Sequence, residues 1–266
     1  MSFIEEHAGA LPRASALAAI GEAFGFLKEG GVFSVRLVFY CGTVLLIFGL
    51  AQDYFGAKGI WFSILQIMAE SVFIYSWHRF ALLGEQQIGG DHWNAFAKRT
   101  LFYYFVLVLV VIVALVISFV GISQMTDSVA GILMAIVLVA CLLFVPRIAL
   151  VFPAIAVNSA ENKMRDAFVL SSGNVLALAG AYVVMTIIVL VLFAPVSFVF
   201  YSQEAQVSAV NDSPIYVLIV NAQLGYSVAV STLLWAGLNS SLFKQLGGMD
   251  NLENSEPTER ADGDQA

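Results

Sequence analysis

The sequence predicts an all-α protein, a polytopic helical membrane bundle of six spans, and three observations carry that prediction. The first is composition: of 266 residues, 60% are hydrophobic and 12% charged, with a mean hydropathy of +0.87. A water-soluble domain of this length cannot hide so much apolar surface. The second is the arrangement of that surface in runs near 34–52, 59–78, 101–122, 129–150, 175–201 and 215–237. Each run is close to the ~20 helical residues that cross a hydrocarbon core of ~30 Å. The third is charge: eleven of the twelve Lys and Arg residues fall at one set of span ends, and Lys58 alone falls at the other. This positive-inside pattern predicts that both termini lie in the cytoplasm.

The elements follow in order. A lead-in helix is expected at about 14–29, where Leu17, Ile20, Phe24 and Leu27 repeat at helical spacing and Ser15, Glu22, Lys28 and Glu29 occupy the rest of the wheel. That amphipathic pattern suits a membrane interface. Arg13, Glu22 and Lys28 interrupt the apolar character of the first thirty residues, so no cleavable signal peptide is expected and the first span acts as a signal anchor. Spans one and two make a helical hairpin, spans three and four a second, and spans five and six a third. Each hairpin is preceded by a polar residue and an Ala-Phe pair: Glu22-Ala23-Phe24, Asn94-Ala95-Phe96 and Asp166-Ala167-Phe168, spaced 72 residues apart both times. Trp93, Phe96, Lys98 and Arg99 give the second lead-in an amphipathic mix like that of the first. Three repeated units of interfacial helix plus hairpin are therefore expected, related about an axis along the membrane normal. The membrane domain covers residues 1–248. Residues 249–266 hold six of the nineteen acids and few apolar groups, which predicts a disordered acidic tail and makes the net charge of −7 a poor guide to partners.

Within the spans, polar residues are the candidates for function. Glu70 lies in span two between Trp61 and Trp77, expected interface anchors, and roughly 10 Å inside Trp77 at 1.5 Å per residue. A carboxylate at such depth costs about 2.5–3.5 kcal/mol to insert and should face the bundle. Ser63, Gln66, Glu70, Trp77 and His78 fall on one helical stripe. Arg147, next to Pro146, is the expected partner of Glu70, and Arg36 the alternative. Pro146 and Pro153 predict that the chain between them leaves helical geometry near the interface. Asn221 and Gln223 in span six are expected to donate across helices. Glu70, Gln66, Arg147 and Asn221 form the candidate intramembrane polar site. His78, Arg79 and Arg147 form the candidate contact with a lipid phosphate, since the arginine fork matches phosphate oxygens; the plainer reading is that such cations anchor the span ends. Gly173, Ala177 and Ala181, and Ser227 and Ser231, are small residues at four-residue spacing that suit close helix packing.

Other chemistries find little support. Cys41 and Cys141 lie inside spans and read as small hydrophobes without a disulfide framework. His78, Glu85, Asp91 and His92 match no tight metal-ligand spacing, and no cofactor is expected. There is no Gly-x-Ser-x-Gly elbow, no His-Glu-x-x-His pair and no Walker loop, so an enzyme is not expected; an intramembrane one would have only Glu70 and His78 to use. Nothing suggests nucleic-acid binding.

The segment Arg147, Pro153, Val157, Ala167-Phe168, Ser171-Ser172 and Gly173-Asn174 resembles a broad group of bacterial multi-span inner-membrane proteins of unknown function. The group includes the membrane domain attached to some glycerophosphoryl diester phosphodiesterases and the YciC-like proteins. In that pattern a serine stands four residues before Gly-Asn; here Ser171 stands two before Gly173. The stretch Trp77-His78-Arg79-Phe80-Ala81-Leu82-Leu83-Gly84-Glu85 also resembles one found in alphaproteobacterial members. The resemblance implies an inner-membrane protein without its own enzymatic activity, and the short loops leave no room for a phosphodiesterase domain. The expected function is to bind or organise membrane lipids or partner membrane proteins. The alternative is a small transporter or channel built on Glu70.

Overall fold

A computed structural model describes residues 13–56, 59–90, 93–94, 96–103, 105–106, 127–157, 163–204 and 214–249. The described residues form helices α1 (Ala16–Gly30), α2 (Val32–Phe55), α3 (Ile60–Leu83), α4 (Asp127–Ala149), α5 (Val151–Ala156), α6 (Lys163–Leu170), α7 (Val175–Glu204) and α8 (Pro214–Gln245). Helical backbone also occurs at 93–94, 96–103 and 105–106. Among the described residues, five stretches are helical, long and apolar enough to cross a membrane: Val32–Phe55, Ile60–Leu83, Ala135–Ala156, Val175–Pro195 and Pro214–Gln245. These coincide with five of the six expected spans. Most of the expected span at 101–122, the residue Ala95 of the second Ala-Phe pair, and the tail beyond Met249 lie outside the described residues.

The last helix is the centre of the bundle. α8 packs against α1, α2, α3, α5 and α7, while α4 packs on α5, α6 and α7. Its closest neighbour is α2, and small residues explain why. Gly225 on α8 meets the α2 backbone so tightly that a Cβ there would lie 2.9 Å from the Gly42 carbonyl oxygen. Gly42 in turn accommodates the Tyr226 ring, and Gly49 accommodates the Asn221 side chain. Thr43 Oγ1 and Tyr226 OH share a 3.1 Å hydrogen bond across the same seam. In lipid, close backbone approach is a main source of helix affinity, because burying apolar side chains gains little there. At this seam the buried small residues of α8 are Gly225 and Ala229 rather than Ser227 and Ser231, which are half-buried. On α7 the buried stripe is Leu178, Ala181 and Met185, led by Asn174 just before the helix; Gly173 is exposed and also precedes it, so the expected Gly173–Ala177–Ala181 seam is rotated.

α1 is the expected lead-in helix, started by Ser15, whose hydroxyl accepts from Ala18 N–H. It runs directly into α2 through Gly31, whose φ of 46° suits glycine and lets the chain turn in one residue. Its apolar residues divide: Ala19, Ile20, Ala23 and Phe26 are buried against the bundle, while Leu17 and Phe24 face outward. Ala167 on α6 is buried as Ala23 is, but Phe96 and Phe168 differ from Phe24 in exposure, and α6 has 8 residues against 15 in α1.

Between Pro146 and Pro153 the departure from helix is smaller than expected. α4 continues through Pro146 to Ala149, only Leu150 interrupts, and α5 resumes at Val151. Pro153 sits in the first turn of α5, where its missing N–H leaves no intrahelical bond unmade.

Candidate functional site

The polar groups of the bundle collect at the end where α3, α4 and α8 finish and α2 and α7 begin. The eight cations whose side chains are described (Arg13, Lys28, Arg36, Arg79, Lys98, Arg99, Arg147 and Lys244) all belong to this end. Its centre is a run of three buried residues on α8, Asn239-Ser240-Ser241. Successive residues on a helix point about 100° apart at 3.6 residues per turn, so a polar triplet reaches three directions at once. Here it reaches three helices. Tyr182 on α7 donates to Asn239 Oδ1 at 2.5 Å. Ser240 Oγ and Nδ1 of His78 on α3 share a 2.7 Å hydrogen bond. Ser241 donates its hydroxyl proton to Glu22 Oε2 on α1. Gln245, one turn on, donates to Ser241 Oγ at 3.3 Å and accepts from Ser15 N–H at 3.0 Å. Ala14 N–H, just before α1, donates to Asn174 Oδ1 at 3.0 Å. The entry of α1 is thus tied to the ends of both α7 and α8.

Two arginines flank this layer in different ways. Arg79 grips Glu85 with both arms of its fork, Nε to Oε2 at 2.6 Å and Nη2 to Oε1 at 2.5 Å, and donates from Nη1 to the Ala156 carbonyl at 3.0 Å. Arg147 donates from Nε to Ser171 Oγ at 2.8 Å and from Nη2 to the Phe168 carbonyl at 2.9 Å, with its guanidinium 4.4 Å from the centre of the Phe168 ring. Its partners among the described residues are all neutral.

The four residues of the expected intramembrane site are not brought together. Glu70 accepts from Gln66 Nε2, one turn earlier on α3, at 2.9 Å. Neither Arg147 nor Arg36 reaches it: Arg147 is held by the segment before α7, and Arg36 is exposed on α2. Asn221 lies toward the opposite end, donating to Asp53 Oδ2 of α2 at 2.7 Å and to the Val217 carbonyl at 2.9 Å. The α3 stripe is therefore divided into an exposed Ser63, a half-buried Gln66–Glu70 pair, and a fully buried Trp77 and His78.

Two expectations need correction. Trp77 is not an interface anchor: its ring is enclosed, packed on Phe80 at 5.3 Å between centroids and close to Gly237, whereas Trp61 at the other end is exposed. His78 cannot meet a lipid phosphate in this arrangement, being 1% exposed and bonded to Ser240. The cause is the same for both: α8 covers the last turns of α3, a neighbour that the sequence of α3 alone does not reveal. Arg79, the second expected phosphate contact, has its charge met by Glu85. Asp91 and His92 lie outside the described residues, and the glycines at 247–248 end α8.

Asn239, Ser240, Tyr182 and Asp53 did not stand out as candidates in the sequence. A signal was present for the first two, since three polar residues in a row at the end of an apolar span cannot share one face. No protein-family model matches this chain, and no curated protein or solved structure matches it.

Proposed function

We propose that this chain is a multi-pass protein of a bacterial inner membrane, with both termini cytoplasmic and no enzymatic activity of its own, which binds membrane lipids or holds partner membrane proteins. The observation that carries the reading is the use made of the polar residues at the basic end. Glu22, His78, Tyr182, Asn239, Ser240 and Ser241 are bonded to one another across four helices. Polar groups used as ties between helices favour a structural bundle over a conduit. What such a bundle offers outward is apolar flank, including Val35, Phe39, Ile47, Leu190 and Val191, with cations at one end. That is a surface suited to lipids and to other membrane-embedded chains. The resemblance of the 147–174 segment to inner-membrane proteins without assigned activity supports the same reading.

The test is extraction of the chain into polymer-bounded membrane discs, followed by native mass spectrometry and lipid analysis. A reproducible set of retained lipids or a stoichiometric partner is expected. Recovery of the bare chain with bulk membrane lipid in bulk proportions would overturn the reading.

A transporter or channel is the second reading, and Glu70 favours it: a half-buried carboxyl within α3 whose bonding partner is an amide, with no ion pair among the described residues. Proteoliposomes showing proton or ion flux that Glu70→Gln abolishes would select it.

A further inference from the structure

We propose that Arg147 is the anchor of a phosphate-binding site, and that the phosphate it takes is the headgroup of an anionic phospholipid. The inference rests on the lipid-binding reading above and names the residue and the chemistry through which it operates. Arg147 belongs to the candidate span Ala135–Ala156, so its charge enters the bundle as part of an apolar helix. Such a charge is costly without a counter-ion. Arg79, the other arginine that closes a span at this end, has one in Glu85. Arg147 has none among the described residues: the groups holding it are the Ser171 hydroxyl, the Phe168 carbonyl and the face of the Phe168 ring.

Those neutral partners fix the guanidinium without neutralising it. A guanidinium offers five N–H donors in a planar fork. Among the described residues Nε–H and one Nη2–H are engaged, which leaves three without a described partner, both on Nη1 among them. The group is thus oriented in advance, with one face against an aromatic ring and one edge of donors unmet by any described residue. That is how an arginine is prepared for a tetrahedral oxyanion, since the fork matches two phosphate oxygens and ordering it beforehand removes an entropic cost of binding.

The location identifies the source of the phosphate. Ser171 and Phe168 belong to α6 and the turn that follows it, the polar connection leading into α7, so Arg147 lies where the apolar spans give way to their connections. In a membrane this is the headgroup level. The exposed cations of the same end, including Arg36 and Lys98, raise the local concentration of anionic lipid around it. Of the three side chains expected to meet a lipid phosphate, Arg147 is the one that is neither enclosed as His78 is nor ion-paired as Arg79 is.

The experiment is native mass spectrometry of the full chain in detergent, with phosphatidylglycerol or phosphatidylcholine added, with and without inorganic phosphate at about a hundredfold excess. Preferential retention of phosphatidylglycerol is expected, and Arg147→Gln should lower it by about tenfold or more, the size that loss of charge-assisted hydrogen bonds implies. Resistance to inorganic phosphate identifies a lipid source, and displacement identifies a soluble phosphate at the same residue. If the wild-type chain retains no lipid selectively, the lipid-binding reading itself fails. If Arg147→Gln retains phosphatidylglycerol like wild type, that reading survives and this site is overturned. Should the neutral variant not fold, Arg147→Lys keeps the charge and removes the fork. Nitrogen–phosphorus dipolar couplings in arginine-labelled protein within phosphatidylglycerol bilayers should then lose one guanidinium signal relative to wild type. An unchanged coupling pattern overturns the site.

Discussion

Nδ1 of His78 and the hydroxyl of Ser240 lie 2.7 Å apart, both enclosed within the bundle, and this hydrogen bond helps tie α3 to the central helix α8. A buried imidazole without its partner loses the bond and keeps the desolvation penalty. Ser240→Ala should therefore destabilise the folded chain by about 1–2 kcal/mol. Thermal unfolding in detergent, read by helical circular dichroism, measures this. The double variant His78→Phe with Ser240→Ala should recover part of the loss, because both polar partners then go together. A double variant as unstable as the sum of the singles would argue against the bond as the relevant interaction.

Tyr182→Phe removes the donor to Asn239 while leaving the ring in its place beside Trp235, 4.8 Å between centroids. The expected loss is about 1 kcal/mol, within the range for hydrogen bonds between helices in lipid. Thr186→Val, one turn along the same helix, alters an exposed hydroxyl that donates to the Tyr182 backbone carbonyl at 2.8 Å and should be neutral within about 0.5 kcal/mol. Equal losses in the two variants would show that the buried bond carries no special weight.

Gly225→Leu should separate α2 from α8. Even a Cβ at this position meets the Gly42 carbonyl oxygen at 2.9 Å and the Leu46 amide nitrogen at 3.0 Å, and backbone cannot move aside as a side chain can. Overpacking of this kind costs about 1–3 kcal/mol or more, outweighing the ~1 kcal/mol of helix propensity gained by replacing glycine. Disulfide cross-linking between cysteines placed on facing positions of the two helices reads the separation. Cross-linking at wild-type efficiency would count against the seam.

Glu85→Gln should have a small effect despite its short, two-armed geometry with Arg79. The two side chains are 21% and 40% exposed, so solvent screens the pair, and such pairs are worth at most about 1 kcal/mol. The difference between variant and wild type should shrink further in 0.5 M salt, where the screening length falls to roughly 4 Å. A loss above 2 kcal/mol would mean that Arg79 is far more deeply desolvated than its exposure implies.

The helical class and five span positions were legible from hydropathy, because the length of an apolar run and the thickness of a bilayer are both local facts. The partners of Glu70, Trp77 and His78 were not. Trp77 carries the same indole as Trp61 and ends the same helix, yet one is enclosed and the other exposed, and the difference is made by α8, some 150 residues later in the chain. Charge pairing failed for a related reason. Opposite signs at similar depth suggested Glu70 with Arg147, but depth along the membrane normal says nothing about position around the bundle, and a neighbouring amide and a backbone carbonyl were nearer. The polar triplet at 239–241 could have been recognised by asking what a helix does with three adjacent polar groups. The α2 seam at Gly42 and Gly49 could not, because its other half lies on α8.

That α8 stands at the centre of the bundle also sets a timetable. Of the described helices it is the last to leave the ribosome, while α1 and α2, which lean on it most, are the first. At a synthesis rate of ~5–20 residues per second, α2 waits roughly 10–40 s for its main partner. During that interval the glycine-lined face around Gly42 and Gly49 stands open in the lipid, and the first hairpin must rely on the insertion machinery or on a provisional neighbour. A ribosome that stalls before Pro214 leaves the four other described spans inserted without the helix they pack around.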